Sequence, residues 1–415
     1  MQKATRTRDR EEAWRPGRVL PGHPHPKEDE LLSSWMLRLA LANYTSAFRL
    51  ANGILGEPEG SWVSRDVDRS ATPRLVEKLS ERTGRPVEDV FRLTLRGRYE
   101  GRLYIGHRKT GFLRWILPGG LRGGRRSHHG LLYCPLCLRD DPEPYFRARW
   151  RLSLSCVCMR HGVRLLGRCP GCGRPPEPHR ANLGVRKRGS GHAQRPLSYC
   201  SACDSDLREA EAAPTTRPLL SGFQQALLRH VSRGWVEVPD YGSVPSPLWF
   251  DGLYQLARLV GYSGRGEKLR AKLESLTGTG QGSRAEGDAL ADDPTSGKAK
   301  FEALSLPWRR HVMHLLAYLM ADWPERFLEV ASGRTLTQSV ALDGSHRRSI
   351  FWYEDFCKRH LWSPPYSPTE EEVLSAQKHL RKQGDYHGPL ATSRAVGLKG
   401  KSRRVKRILE NNGRW

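Results

Sequence analysis

The chain has 415 residues, with 69 Lys and Arg against 44 Asp and Glu, a formal charge of +25 and 38% hydrophobic residues. That length supports two to four compact units, and the charge draws the chain toward polyanions, nucleic acid first. No apolar run approaches the roughly 20 residues of a membrane span and no N-terminal stretch resembles a secretory signal, so no membrane partner is expected, and a reduced, cytoplasmic setting is.

Residues 1–20 are polar and charged and read as a disordered arm, and 21–126 read as a helical domain. After Pro26, the residues Leu32, Trp35, Met36 and Leu39 recur at i, i+3, i+4 and i+7, which predicts a helix from Glu28 to Asn43 with one buried stripe. Glu28, Asp29 and Glu30 suit the positive end of its dipole. Arg38 falls off the stripe, which makes Trp35 and Arg38 the candidate partner surface. Thr72 caps a second helix with Pro73 in its first turn, Leu75, Val76 and Leu79 facing inward, and Gly84 closing it. Pro86 starts a third helix, Val87 to Leu95. These two helices resemble a helix-turn-helix with Arg92, Arg96 and Arg98 at the end that would meet DNA. The alternative is a plain helical hairpin supporting the segment that follows. From Arg92 to Arg126 ten basic residues stand against one acid, Glu100, interleaved with Tyr99, Tyr104, Phe112 and Trp115.

Residues 127–210 carry four close ligand pairs: Cys134 with Cys137, Cys158 with His161, Cys169 with Cys172, and Cys200 with Cys203. Two residues between ligands is the spacing that lets one turn aim both side chains at one metal, and eight ligands satisfy two tetrahedral zinc ions. Grouping successive pairs gives one site of Cys134, Cys137, Cys158 and His161 and another of Cys169, Cys172, Cys200 and Cys203; an interleaved arrangement is the alternative. Cys156 is the rival ligand, and Cys357 is spare. His128, His129, His179 and His192 flank the cluster and read as solvated loop residues. Disulfides are disfavoured in a reducing compartment, and a redox pair needs a strand-helix setting that Tyr133 to Cys137 lacks. Bound metal would contribute on the order of 10 kcal/mol per site to folding.

Four ligands per ion leave no open position for water, so both zincs read as structural. The deaminase pattern is absent, since Tyr133 precedes Cys134 and Arg168 precedes Cys169. Gly297, Lys298 and Ala299 lack the leading glycine and the hydroxyl of a P-loop. No carboxylate cluster for two metals accompanies the His128 and His129 loop, so a nuclease reading is weak and no catalytic residue is assigned.

Residues 211–275 read as a helical domain, with stripes in Phe223 to Val231 and Trp249 to Val260. A stretch rich in Gly, Ser, Thr, Ala and Asp, 276–300, reads as a flexible linker. Residues 301–415 form a C-terminal helical domain. Val312, Leu315, Leu316 and Leu319 make a stripe ending at Asp322, Trp323 and Pro324. Pro389 to Val396, a Gly397 turn and Ser402 to Asn412 make a second helix-turn-helix candidate, with Val405, Ile408 and Leu409 inward and Lys401, Arg403, Arg404, Lys406 and Arg407 toward DNA. The loop between the halves of the all-cysteine site adds Arg186, Lys187 and Arg188. Basic runs also occur as ordinary solvated surface. The fold class is mainly α with small zinc-built modules, helix-turn-helix units flanking two tandem zinc-finger or ribbon-like sites.

Several of these segments together resemble one family. The stretch Pro26 to Ala40 with Trp35 and Arg38, the pair Cys134 and Cys137 after Tyr133, Trp150, the run Cys158 to Leu165, and Cys169 to Gly173 are similar to TniQ, a transposition accessory family related to TnsD. Asp322 to Phe327 and the basic C-terminal tail are similar to its longer members. The resemblance implies a bacterial, non-enzymatic protein that selects or marks a target site for a mobile element, contacts DNA or a targeting complex, and recruits an AAA+ ATPase and transposase. It implies the same eight zinc ligands. It is compatible with direct reading of DNA, an RNA-guided CRISPR complex or a resolution-site complex, and with a homodimer. Cys156 and the long insertion before Cys200 depart from the family pattern. The alternative function is a zinc-dependent DNA-binding transcription regulator.

Overall fold

The computed structural model describes residues 19–56, 66–119, 130–178, 196–279, 300–332, 335–342, 350–362, 367–398 and 400–413. Residues 1–18 of the expected arm 1–20, residues 280–299 of the expected linker, His128, His129, His179, His192, Arg186, Lys187 and Arg188 lie outside the described residues; Leu20, at the arm's expected end, is instead buried in the core. Among the described residues, no helix is long and apolar enough to cross a membrane. The chain divides into two units, residues 1–361 and 362–415.

In the first unit one hydrophobic core runs from Leu20 to Leu361. Helix α1 (Leu32–Ala42) is buried over every residue from Leu32 to Ala40. It begins later than its acidic run suggests because Asp29 takes a left-handed φ of 56°, and Asp29 and Glu30 are engaged in ion pairs with Arg149 and Arg38. The expectation of a single buried stripe, and of an exposed partner surface at Trp35 and Arg38, is corrected here. Trp35 is fully buried and its indole N–H donates to the Pro24 carbonyl at 2.8 Å. Arg38, only 3% exposed, pairs with Glu30 and Glu143 at 2.7 Å each. The helix tolerates enclosure because its serines are satisfied inside: Ser33 donates from both N–H and Oγ to Asp68, and Ser34 Oγ donates to Glu30.

Helix α2 (Pro73–Thr83) forms as the sequence predicts, whereas α3 (Val87–Arg92) starts after Pro86 as expected but stops short of the expected Leu95, because Thr94 caps a new helix there. Thr72 Oγ1 accepts the Leu75 N–H at 3.1 Å, and Gly84 closes α2 at a φ of 65° that an L side chain resists. A short helix α4 (Leu95–Tyr99) follows. The aromatics expected among the basic residues divide: Tyr99, Tyr104 and Trp115 are core, and Phe112 is exposed. Trp115 packs edge-on against Tyr254 at 5.3 Å and Phe301 at 5.4 Å, and its backbone N–H donates to Glu302 Oε1 at 2.6 Å. This cluster joins segments that flank the 276–300 stretch into one core.

Further along stand α5 (Pro135–Asp140), α6 (Pro218–Arg233), α7 (Ser246–Gly261), α8 (Glu267–Thr277), α9 (Leu306–Met320), α10 (Glu325–Ala331) and α11 (Phe351–His360). α7 is buried almost throughout and packs on α8 and α9. Its Gly252 is required by close approach, since a Cβ there would stand 2.1 Å from the Trp352 ring of α11. Between α6 and α7 an antiparallel hairpin pairs β1 (Trp235–Val238) with β2 (Gly242–Pro245) in the register Val236 to Val244. The architecture is thus mainly helical.

The second unit contains α12 (Glu370–Gln383), α13 (Pro389–Ala395) and α14 (Arg403–Asn411) around Val373, Val405 and Leu409. α12 starts at a capping box in which Thr369 and Glu372 satisfy each other's backbone N–H groups. Gly397 turns the chain at a φ of 81°, and Ser402 caps α14 by accepting the Val405 N–H at 3.3 Å.

Candidate metal centres

Cys134 caps α5, where its Sγ accepts the Cys137 N–H at 3.4 Å. Tyr133 is bridged to Leu166 and Val157 to Arg164, so the chain returns antiparallel beside α5. Between these strands Cys158 to His161 forms a tight turn: Cys158 N–H donates to Val163 at 2.7 Å, Gly162 N–H returns to Cys158 at 2.8 Å, and Gly162 holds a φ of 64°. Gln224 on α6 clamps the incoming strand. Its Oε1 accepts from the N–H groups of Cys156 and Val157, and its Nε2 donates to the Val157 carbonyl.

These elements bring Cys134, Cys137, Cys158 and His161 together with their ligand atoms all within 4.8 Å of one another. Cys137 Sγ lies 3.5 Å from Cys158 Sγ, and His161 Nδ1 lies 3.5, 3.3 and 3.6 Å from the three sulfurs of Cys134, Cys137 and Cys158. A four-coordinate zinc with ordinary bond lengths has tetrahedral edges of about 3.8 Å between sulfurs and about 3.6 Å from sulfur to nitrogen. The donor set fits. His161 Nε2 faces Asp140 Oδ2 at 2.9 Å, an arrangement that orients the ring with Nδ1 toward the sulfurs. Sequence reasoning missed Asp140 and Gln224. Asp140, three residues past Cys137 on the same short helix, was within reach of a spacing argument; Gln224 carried no local signal.

The second group, Cys169, Cys172, Cys200 and Cys203, repeats the turn twice. Gly173 N–H donates to Cys169 at 2.9 Å and Asp204 N–H to Cys200 at 3.0 Å, with left-handed φ values of 66° and 64°. Sulfur pairs Cys169 to Cys203 and Cys172 to Cys200 stand 3.6 and 3.7 Å apart, again the edge of a tetrahedron. Unlike the first group, Cys172 and Cys203 are exposed. The structure places successive pairs together and does not interleave them. Cys156 and Cys357 are buried and belong to neither group. A bound metal would crosslink these turns to one another.

The basic candidates fall into different environments. Arg92 pairs with Asp89 at 3.2 Å, Arg96 with Glu100 at 2.8 Å and Arg98 with Asp29 at 3.4 Å. In the second unit Arg404 Nε donates to the Pro368 carbonyl at 2.9 Å, and Lys406 stands 3.7 Å from Glu410. Lys401, Arg403 and Arg407 are exposed.

Fold and site together define a mainly helical protein with two four-ligand cysteine and histidine centres suited to metal ions. Residues 21–165 match the TniQ family model, so this segment is similar to the TniQ domain, which implies an accessory function associated with transposition. The match includes all of the first metal-type group and stops short of the second. No curated protein matches the chain.

Proposed function

We propose that the protein is a target-site selector for a transposable element: it holds or marks target DNA and recruits the AAA+ ATPase that passes the target to the transposase. The observation that carries this reading is the TniQ match over residues 21–165. The charge of +25 supports a DNA partner. Both metal groups are assigned zinc in a structural role, the sulfur-rich donor sets and their tetrahedral spacing being the support. Phosphate contacts provide most of the affinity in this reading, and α13 with α14 forms the helix-turn-helix, with Lys401, Arg403 and Arg407 as its leading contacts and Arg404 and Lys406 beside them. The ion-paired Arg92, Arg96 and Arg98 are secondary contacts. An RNA-guided or resolution-site complex and a second copy of the chain are further partners of the same reading.

The test is co-purification of the metal-loaded chain with the AAA+ ATPase encoded beside it, with and without duplex DNA. Capture that is strengthened by DNA is the expected result. If the intact, metal-loaded chain captures no ATPase and binds a single operator tightly, the selector reading fails and transcriptional regulation replaces it.

A further inference from the structure

The loop between α4 and Leu113 is built in an unusual way. Arg69, 4% exposed, reaches into it and donates to three of its carbonyls: Nε to Arg108 at 2.5 Å, Nη2 to Thr110 at 2.9 Å and Nη1 to Gly111 at 2.5 Å. His107 anchors its entry. The ring lies 2.8 Å from the Arg69 carbonyl through Nε2 and 3.0 Å from the Tyr104 hydroxyl through Nδ1, while the His107 N–H donates to Glu100 at 2.8 Å. Gly106 and Gly111 bracket the apex at φ values of 78° and 73°, where a Cβ would meet no neighbour but the backbone itself disfavours any other residue.

The consequence is a sorting of backbone polarity. Those carbonyl oxygens, which would repel an anion, are drawn onto a buried cation. Among the described residues, the amide groups of Arg108, Lys109, Thr110 and Gly111 donate to no acceptor. All four residues are exposed. Two cations and a hydroxyl accompany them, and residues 101–139 contain no Asp or Glu to compete for them. Successive unpaired amides beside cationic side chains are what acceptor-only phosphate oxygens require.

We propose that the loop Ile105 to Phe112 is a DNA-backbone contact in which Arg108, Lys109, Thr110 and the amides of residues 108–111 hold phosphodiester groups of the target duplex. This rests on the DNA-binding part of the function proposed above, and adds to it a contact in the TniQ-matched segment that uses no helix-turn-helix. Its sequence independence follows from the chemistry, since neither amides nor phosphate-directed cations read base edges.

The experiment uses the full-length, metal-loaded chain and a fluorescein-labelled DNA duplex of arbitrary sequence, with anisotropy titrations across a potassium chloride series. Every phosphate that a variant no longer neutralises takes about 0.9 from the slope of log affinity against log salt. The double variant Arg108→Ala with Lys109→Ala is expected to make that slope shallower by about 2, with metal content and circular dichroism unchanged. Arg69→Lys, which keeps the charge but cannot span three carbonyls, is expected to weaken binding while leaving the slope nearly unchanged. The pair Arg403→Ala with Arg407→Ala serves as the comparison in the other unit. An unchanged slope in the loop double variant, with the comparison pair binding more weakly, overturns the loop contact and leaves the proposed function standing. Absence of duplex binding by the wild-type chain removes both. Intact DNA binding with no ATPase capture in the loop variant assigns the loop to a protein partner and overturns the inference.

Discussion

Asp140 Oδ2 lies 2.9 Å from Nε2 of His161, on the side of the imidazole opposite the three cysteine sulfurs. The carboxylate orients the ring so that Nδ1 faces the sulfurs, the carboxylate–histidine pairing found beside metal-ligating imidazoles. Asp140→Ala is expected to lower the affinity of the first centre for zinc by about 10- to 100-fold. Competition against a chromogenic chelator measures it, and an unaltered affinity would show Asp140 to be a bystander.

The two centres differ in what depends on them. Cys134, Cys137 and Cys158 belong to the continuous core of the first unit, whereas Cys172 and Cys203 are exposed. Either Cys137→Ser or Cys203→Ser is expected to reduce bound zinc from two equivalents to one, as read by elemental analysis. The cost of a missing structural site is on the order of several kcal/mol or more. In Cys137→Ser it should appear as a lower melting temperature of the whole first unit. In Cys203→Ser it should appear as protease sensitivity confined to the segment around Cys169 to Asp206.

Arg38 neutralises Glu30, which is fully buried, and bonds Glu143 at the surface. Removing one partner of a buried pair strands the other charge, so Arg38→Ala is expected to cost about 3–5 kcal/mol of stability by urea denaturation. The cost follows from a core role. An Arg38→Ala chain that remained fully stable yet failed to recruit a partner would restore the surface role that the fold argues against.

His107 supplies a pH dependence with a definite sign. Its Nε2 faces a carbonyl and so carries the proton, while Nδ1 takes the Tyr104 hydroxyl, a pattern that fits the neutral ring. Burial, ahead of the other influences, holds its pKa below the ordinary value. As pH falls below about 6.5 the unfolded chain takes up this proton before the folded one does, so stability declines with acidification and is regained as pH rises. His107→Gln is expected to flatten this part of the profile, as read by melting temperature between neutral and mildly acidic pH. An identical slope in the variant would place the acid sensitivity elsewhere.

Local signals in the sequence carried far where the physics is local. The two-residue spacing of four ligand pairs foretold the turns at Cys134, Cys158, Cys169 and Cys200, because a tight turn needs nothing beyond its own residues to aim two side chains inward. Thr72, Pro73 and Gly84 delimited α2 for the same reason. The capping box of Thr369 and Glu372 was equally local and went unread, which left α12 without a place in the sequence-based outline. The hairpin Trp235 to Pro245 gave only a short alternation, too brief to separate from a loop.

What the sequence determined by itself is a mainly helical, strongly cationic chain with two sets of four metal-type ligands, since helix punctuation and ligand spacing are set by neighbours along the chain. Only the tertiary structure decided which side of a helix is inside and which cation is free. Arg38 and Trp35 are enclosed because Glu30, Glu143 and Pro24 come to meet them, and Arg98 finds Asp29 within reach. Arg69 turns an ordinary basic stretch into a loop with its carbonyls drawn inward. Burial and charge pairing depend on residues far apart in sequence, and no local pattern contains them.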